Sequence, residues 1–206
     1  MNEIVIGLSL LGSYLLGGIP VGPLAARVFG VDLRSTGSGN IGATNVYRAM
    51  GPKWAAAVFL GDAAKGLLAV LVSGWLTGNP APAALGGLAA ALGHVFNPFL
   101  RFKGGKGVAT AFGAMLVISP LAALGSLMVW GASLWWKKIV SLASLAAAGT
   151  LPFFTLAANW GGDAVVVRTL SAFLLFGLVL FSHRANLGRL VRGEEPRIKR
   201  SGSGGG

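Results

Sequence analysis

The stretch GVATAFGAMLVISPLAALGSLMVWGASLWW, residues 107–136, carries no charged residue. Its 30 residues are too many for one membrane crossing of about 20 apolar residues and too few for two full ones. Ser119-Pro120 lies near its middle, and a residue that precedes proline is pushed away from helical geometry. The positive charges decide between one crossing and two. If the stretch crosses twice, as one short and one fuller helix, the chain crosses seven times, and the basic loops at 34–53, 101–106 and 137–138 share a side with the basic tail. Only Arg168 then flanks the other side. If it crosses once, Lys137-Lys138 and the six basic residues of the tail fall opposite the first two basic loops. Lys and Arg collect on the cytoplasmic side of membrane proteins, so the rule prefers seven crossings, with the N-terminus outside and the C-terminus cytoplasmic.

Composition agrees with a membrane protein. The chain of 206 residues is 54% hydrophobic and only 11% charged, against about 25% charged in a soluble domain; its mean hydropathy is +0.71. Lipid-exposed backbone must satisfy its own hydrogen bonds, which leaves helices or a closed barrel. The long apolar runs at 4–29, 54–77, 83–100, 139–160 and 164–182 lack a barrel's alternation. The expectation is an all-α polytopic membrane protein of seven transmembrane helices, one domain over residues 1–200. Residues 201–206, SGSGGG, read as an appended linker. Only Asn2 and Glu3 precede the first run, so it reads as an uncleaved span, kinked or ended by Pro20 and Pro23. The net charge of +11 sits in loops and tail, where the orientation rule accounts for it without a nucleic-acid partner. There is no cysteine and there are two histidines, so no metal site and no cofactor are expected. A monomer is expected.

Three polar islands interrupt the apolar runs: residues 35–48 (STGSGNIGATNVYR), 103–110 (KGGKGVAT) and 183–190 (HRANLGRL). The first is dense in Ser38, Asn40, Thr44, Asn45 and Arg48 among Gly39 and Gly42. Hydroxyls, amides, a guanidinium and glycine backbone with almost no negative charge suit a phosphate. It matches GxGxxG, but no strand precedes it, so a dinucleotide fold is excluded. The second places Gly104, Gly105 and Gly107 around Lys106, then Thr110, where a helix start would favour an anion. The third begins where the last run ends; His183 and Asn186 share a helical face. Seven crossings put all three on the cytoplasmic side. Ser141 and Ser144, one turn apart after Lys137-Lys138, are further binding candidates. Asp62 and Lys65, three apart inside a span, read as an ion pair facing the bundle interior, and His94 as a hydrogen-bonded interior histidine. Neither histidine starts an H-x4-D acyltransferase motif, since positions 99 and 188 are Phe and Gly.

SGNIGATNVYR, GGKGVAT and HRANLGRL, in that order, with D-x-x-K-G at residues 62–66 and VSLAS at 140–144, resemble the bacterial membrane acyl-phosphate:glycerol-3-phosphate acyltransferase family of the PlsY type. The resemblance covers nearly the whole chain and implies seven helices in the cytoplasmic (inner) membrane, with the active site on the cytoplasmic face. It implies acyl phosphate and glycerol 3-phosphate as substrates, and lysophosphatidic acid, the first acylated intermediate of phospholipid synthesis, as product. On that reading Arg48, Lys106 and His183 hold the glycerol 3-phosphate phosphate, and Asn186 orients its hydroxyl. Ser38, Thr44 and Asn45 hold the acyl-phosphate head together with the backbone from Gly104 to Gly107. The hydroxyl proton goes to the acyl phosphate itself or, alternatively, to His183 as base. A transporter for a phosphorylated metabolite would use the same anion-binding groups. No internal repeat of the kind common in alternating-access carriers is visible, and the presumed outer loops are short and poor in donors.

Overall fold

A computed structural model describes residues 3–198; the 201–206 linker lies outside them. Every regular element among the described residues is helical: α1 Glu3–Gly18, α2 Val21–Val28, α3 Ala43–Met50, α4 Pro52–Thr77, α5 Pro80–Val95, a 3-10 turn Pro98–Leu100, α6 Val108–Ile118, α7 Pro120–Lys137, α8 Val140–Ala158, α9 Val165–Ser182 and α10 Arg184–Val191. Proline punctuates this order. Pro52, Pro80 and Pro120 open α4, α5 and α7, where the missing N–H has no intrahelical role. Pro20 separates α1 from α2, while Pro23 sits in the first turn of α2.

The 107–136 stretch breaks at Ser119, giving one helix of 11 residues and one of 18. Five segments are long and apolar enough to cross a membrane: Glu3–Val28, Pro52–Thr77, Pro80–Leu100, Val140–Ala158 and Val165–Ser182. The helix α6 is shorter, rising only about 17 Å. Its far end meets the far ends of α8 and α9. Asn159 Nδ2 donates to Ser119 Oγ at 2.9 Å, and the Arg168 guanidinium donates to Asn159 Oδ1. With that end fixed, α6 starts well inside the bundle, and residues 101–107 carry the chain in to its first turn.

The middle of the bundle is α5, which packs on α1, α4, α6 and α9. Helix association in lipid depends on close packing rather than on water exclusion, and here glycine makes it possible. A Cβ on Gly66 would stand 1.9 Å from Thr110 O, and one on Gly113 1.8 Å from Ala63 O, so α4 and α6 meet backbone to backbone. Gly17 and Gly93 do the same for α1 and α5, at 2.0 Å from Ala90 O and 1.9 Å from Tyr14 O. The Asp62–Lys65 pair is buried on α4 at 2.7 Å, as expected.

Candidate active site

Three contacts gather the loops and the C-terminal segment at one end of the bundle. Ser182 Oγ donates to Lys106 O at 2.9 Å, and Ile198 N donates to Lys138 O at 2.8 Å. The Arg34 guanidinium donates to Gly39 O at 3.2 Å and also to Lys103 O, so it clamps the first island to the second. Together they enclose a polar cavity of about 310 Å³. All three islands reach it: Ser38, Asn40, Gly42, Thr44, Asn45 and Arg48 from the first, Lys106 and Gly107 from the second, His183 and Asn186 from the third. Ser141 and Ser144 complete the wall from α8. The first residues of α3, α6 and α8 (Ala43, Val108 and Val140) all line the cavity. Helix starts carry unsatisfied N–H groups and partial positive charge, so three of them favour an anion strongly.

Within the first island the side chains divide their labour. Asn45 is 1% exposed. Its Oδ1 accepts from Ser38 N at 2.9 Å and Ser38 Oγ at 3.3 Å, and its Nδ2 donates to Leu33 O at 2.9 Å and Thr36 O at 3.0 Å. Asn45 therefore builds the loop and has no bonding capacity left for substrate, contrary to the expectation that it holds the acyl-phosphate head. Asn40 Oδ1 accepts from Gly42 N at 2.9 Å, and Gly39 is spent in a turn, its N–H donating to Thr36 O at 3.0 Å. Thr44 and Arg48 remain for a ligand, whereas both donors of Ser38 are spent on Asn45 Oδ1. The Arg48 guanidinium has no hydrogen bond or ion pair among the described residues.

The second island corrects the glycine argument. Gly104 N donates to Val95 O and Gly105 N to His94 O, each at 3.0 Å. Their N–H groups cap the end of α5 and are unavailable to phosphate. They are glycines because the loop lies directly on α5: a Cβ on Gly104 would stand 1.9 Å from His94 O, and one on Gly105 2.2 Å from His94 Nε2. Among the glycines of this island, only Gly107, left-handed at φ 76°, lines the cavity, at the start of α6. Thr110 is fully buried, with Oγ1 unpaired; it packs where α6 crosses Gly66 and is not among the residues that line the polar cavity. Lys106 faces the cavity, and its ammonium is lowered to about 8 by burial and by the repulsion of Arg189 and Arg48, with Glu195 working in the opposite direction.

In the third island His183 is 1% exposed. Its Nδ1 stands 2.8 Å from Val179 O; a carbonyl only accepts, so Nδ1 carries the proton. Burial, then Lys106, lowers the ring to about 4. The imidazole is therefore neutral, with Nε2 as an acceptor, which does not suit the expected role of holding the glycerol 3-phosphate phosphate. Asn186 Nδ2 donates to Glu195 Oε1 at 2.5 Å, leaving its Oδ1 as a second acceptor. Glu195 also accepts from Ser141 Oγ and Arg189 Nε, each at 2.7 Å. Burial works to raise its carboxyl, but these bonds outweigh burial and hold it below the usual carboxylate range. Sequence reasoning missed Glu195, Arg189 and Arg34. The available signal for the first was an acidic pair, Glu194-Glu195, inside the most basic segment of the chain.

A second cavity of about 590 Å³ adjoins the polar one. The two share wall residues, among them Thr44, Phe59, Val108, Trp130 and Ser144. Its lining is almost wholly apolar, with Phe112, Met115, Leu151 and Leu175 at depth. Its volume lies within the range of ligand pockets.

Comparison with known proteins places these features among relatives. Residues 7–193 match the family model described as glycerol-3-phosphate acyltransferase. A glycerol-3-phosphate acyltransferase of Geotalea daltonii is 46% identical over 199 residues, covering 97% of this chain and 99% of that one. One from Geobacter sulfurreducens is 47% identical over 188 residues, covering 91% and 94%. Among solved structures, the glycerol 3-phosphate form of PlsY, an integral membrane glycerol 3-phosphate acyltransferase, superposes with a TM-score of 0.87 at 40% identity, covering 94% of this chain and 96% of that one. Its lysophosphatidic acid form gives 0.86 at 39% identity, covering 94% and 95%.

Proposed function

The chain belongs to the glycerol-3-phosphate acyltransferase family, and from that premise we propose that it moves a fatty acyl group from acyl phosphate to glycerol 3-phosphate, giving 1-acyl-glycerol 3-phosphate and phosphate. The observation that carries this reading is the adjoining pair of cavities: a cationic one with three helix starts and an apolar one that shares wall residues with it. An acyl phosphate has that shape. Its phosphate lies near Thr44 and the starts of α3, α6 and α8, and its chain lies in the apolar cavity. The phosphate of glycerol 3-phosphate goes to Arg48 and Lys106, the cavity cations without an ion-pair partner among the described residues.

The reaction follows from those positions. The glycerol hydroxyl oxygen attacks the acyl carbon, the carbon–oxygen bond to phosphate breaks, and phosphate leaves with the bonding pair. His183 Nε2 orients the substrate by accepting from its second hydroxyl, and Asn186 Oδ1 holds the attacking hydroxyl until its proton turns to the acyl phosphate. A ring held near 4 is too weak a base to take that proton, so it passes to a phosphate oxygen of the departing group. Positioning and charge stabilisation then supply most of the rate. The seven crossings, the outside N-terminus and a site at the cytoplasmic face of the inner membrane complete the proposal. In this arrangement α6 and α7 form the pair of crossings that places Lys137-Lys138 with the other basic loops.

Donor choice tests the proposal. Purified enzyme offered palmitoyl phosphate, palmitoyl-CoA or palmitoyl carrier protein with glycerol 3-phosphate should consume only the first; equal use of a thioester would refute it. His183→Gln, which keeps an amide within reach, should hold kcat within about tenfold and raise the KM for glycerol 3-phosphate, whereas a loss of about 10³ in kcat would restore the histidine as base. Lys106 gives a pH signature. Its ammonium is intact below about 8 and lost above, so kcat/KM should fall as pH rises through that value. In Lys106→Arg the guanidinium stays charged and the limb should vanish.

A further inference from the structure

The buried cluster of Asp62, Lys65 and His94 was read as structural, and the reaction above does not use it. Its hydrogen bonds specify more. The Lys65 ammonium forms an ion pair with Asp62 Oδ1 at 2.7 Å and makes two hydrogen-bond contacts, to Ile19 O at 2.9 Å and to His94 Nδ1 at 3.2 Å. An ammonium only donates, so His94 Nδ1 must accept and carries no proton. The alternative, Nδ1–H toward Asp62 Oδ1, spans 3.6 Å, beyond hydrogen-bond reach. The proton of the neutral ring therefore sits on Nε2. That atom has no hydrogen-bond partner among the described residues, although the side chain is only 6% exposed. It lies 2.2 Å from the place a Gly105 Cβ would take, and His94 and Asp62 both line the polar cavity. It is therefore a donor with no protein partner among the described residues, on a residue that lines a cavity of cations and helix starts, where an anion is favoured.

We propose that His94 is a further phosphate-binding residue, whose Nε2–H, fixed by the Asp62–Lys65 pair and seated in the space Gly105 leaves open, donates to a phosphoryl oxygen of a substrate in the polar cavity. The identity of that substrate rests on the acyl-transfer reading. Beside the start of α6 the acyl-phosphate head is nearest, and glycerol 3-phosphate offers the same chemistry. His94 and His183 then hold opposite tautomers for opposite tasks: a donor for phosphate and an acceptor for a substrate hydroxyl. Gly105 serves His94 as much as it serves the loop.

Two measurements test this. With two histidines in the chain, ring 15N spectra of the intact protein are assigned with one His183→Gln sample. The expected spectrum shows His94 protonated at Nε2 and His183 at Nδ1, and titration with inorganic phosphate shifts the His94 Nε2–H resonance. A His94 proton on Nδ1, or an Nε2–H unmoved by saturating phosphate, glycerol 3-phosphate and a stable acyl-phosphonate, would overturn the proposal. In the second, His94→Phe should raise the KM for one substrate at least tenfold and leave the other within twofold, with His94→Gln recovering part of the loss. A rise for acyl phosphate assigns its head to Nε2, and a rise for glycerol 3-phosphate assigns that phosphate. Unchanged KM values with less folded protein would mean a structural role and refute it. If His94→Phe does not fold, the spectra decide alone. Because the phosphate titration needs no turnover, its outcome separates this proposal from failure of the acyl-transfer reading.

Discussion

Arg48→Ala should lower kcat/KM for glycerol 3-phosphate by on the order of 10³, the scale of losing a charged donor aimed at a transferring or anchoring phosphate. Arg48 stands on α3 at the cavity edge, with no hydrogen bond or ion pair among the described residues. Removing it therefore deletes a ligand contact without orphaning a buried group. The thermal midpoint should stay within a few degrees of the parent, and Arg48→Lys should recover only part of the loss, because a point charge does not reproduce the two-pronged guanidinium. Steady-state kinetics beside a melting curve in the same lipid make the check. An Arg48→Ala enzyme within tenfold of wild type would remove Arg48 from the phosphate site.

Asn45→Ala should be as damaging by a different route. Four hydrogen bonds from one side chain tie Ser38, Leu33 and Thr36 together, and each is worth about 1 kcal/mol net. Their joint loss releases the loop that positions Ser38 and the start of α3. Turnover should fall by roughly 10² to 10³ with both substrates affected, and amide exchange should quicken at Gly37 and Ser38. Asn45→Asp should fail as well, since it keeps the acceptor but loses both donors and buries a charge at a position 1% exposed. A rise in one substrate's KM with the loop amides still protected would place Asn45 on the substrate instead.

Much of the architecture was legible in residue chemistry. The break at Ser119-Pro120, the buried Asp62–Lys65 pair and the meeting of the three islands follow from proline geometry, the cost of intramembrane charge and the sidedness of basic loops. The individual roles were less legible, because a sequence lists donors without showing what consumes them. Gly104 and Gly105 looked like a phosphate cradle, yet their N–H groups serve the end of α5 and their missing side chains admit the loop against His94. Asn45 looked like a ligand and is the loop's own brace. Thr110 sits one turn too deep along α6 and faces Gly66. Glu195 was hidden because its partners, Ser141, Asn186 and Arg189, come together only where the segment after α10 reaches α8. His94 looked like a histidine whose bonding was complete, and only the Lys65 ammonium beside its Nδ1 shows that the second nitrogen is left over.

The most direct test of the acyl-transfer account is a matched product measurement. Purified protein in lipid, given palmitoyl phosphate and glycerol 3-phosphate, is followed for released phosphate and for lysophosphatidic acid, with Arg48→Ala beside it. The account predicts the two products in equal amounts, rising together and nearly absent from the variant. Phosphate release without lysophosphatidic acid, or no turnover by folded protein that binds glycerol 3-phosphate, would contradict it.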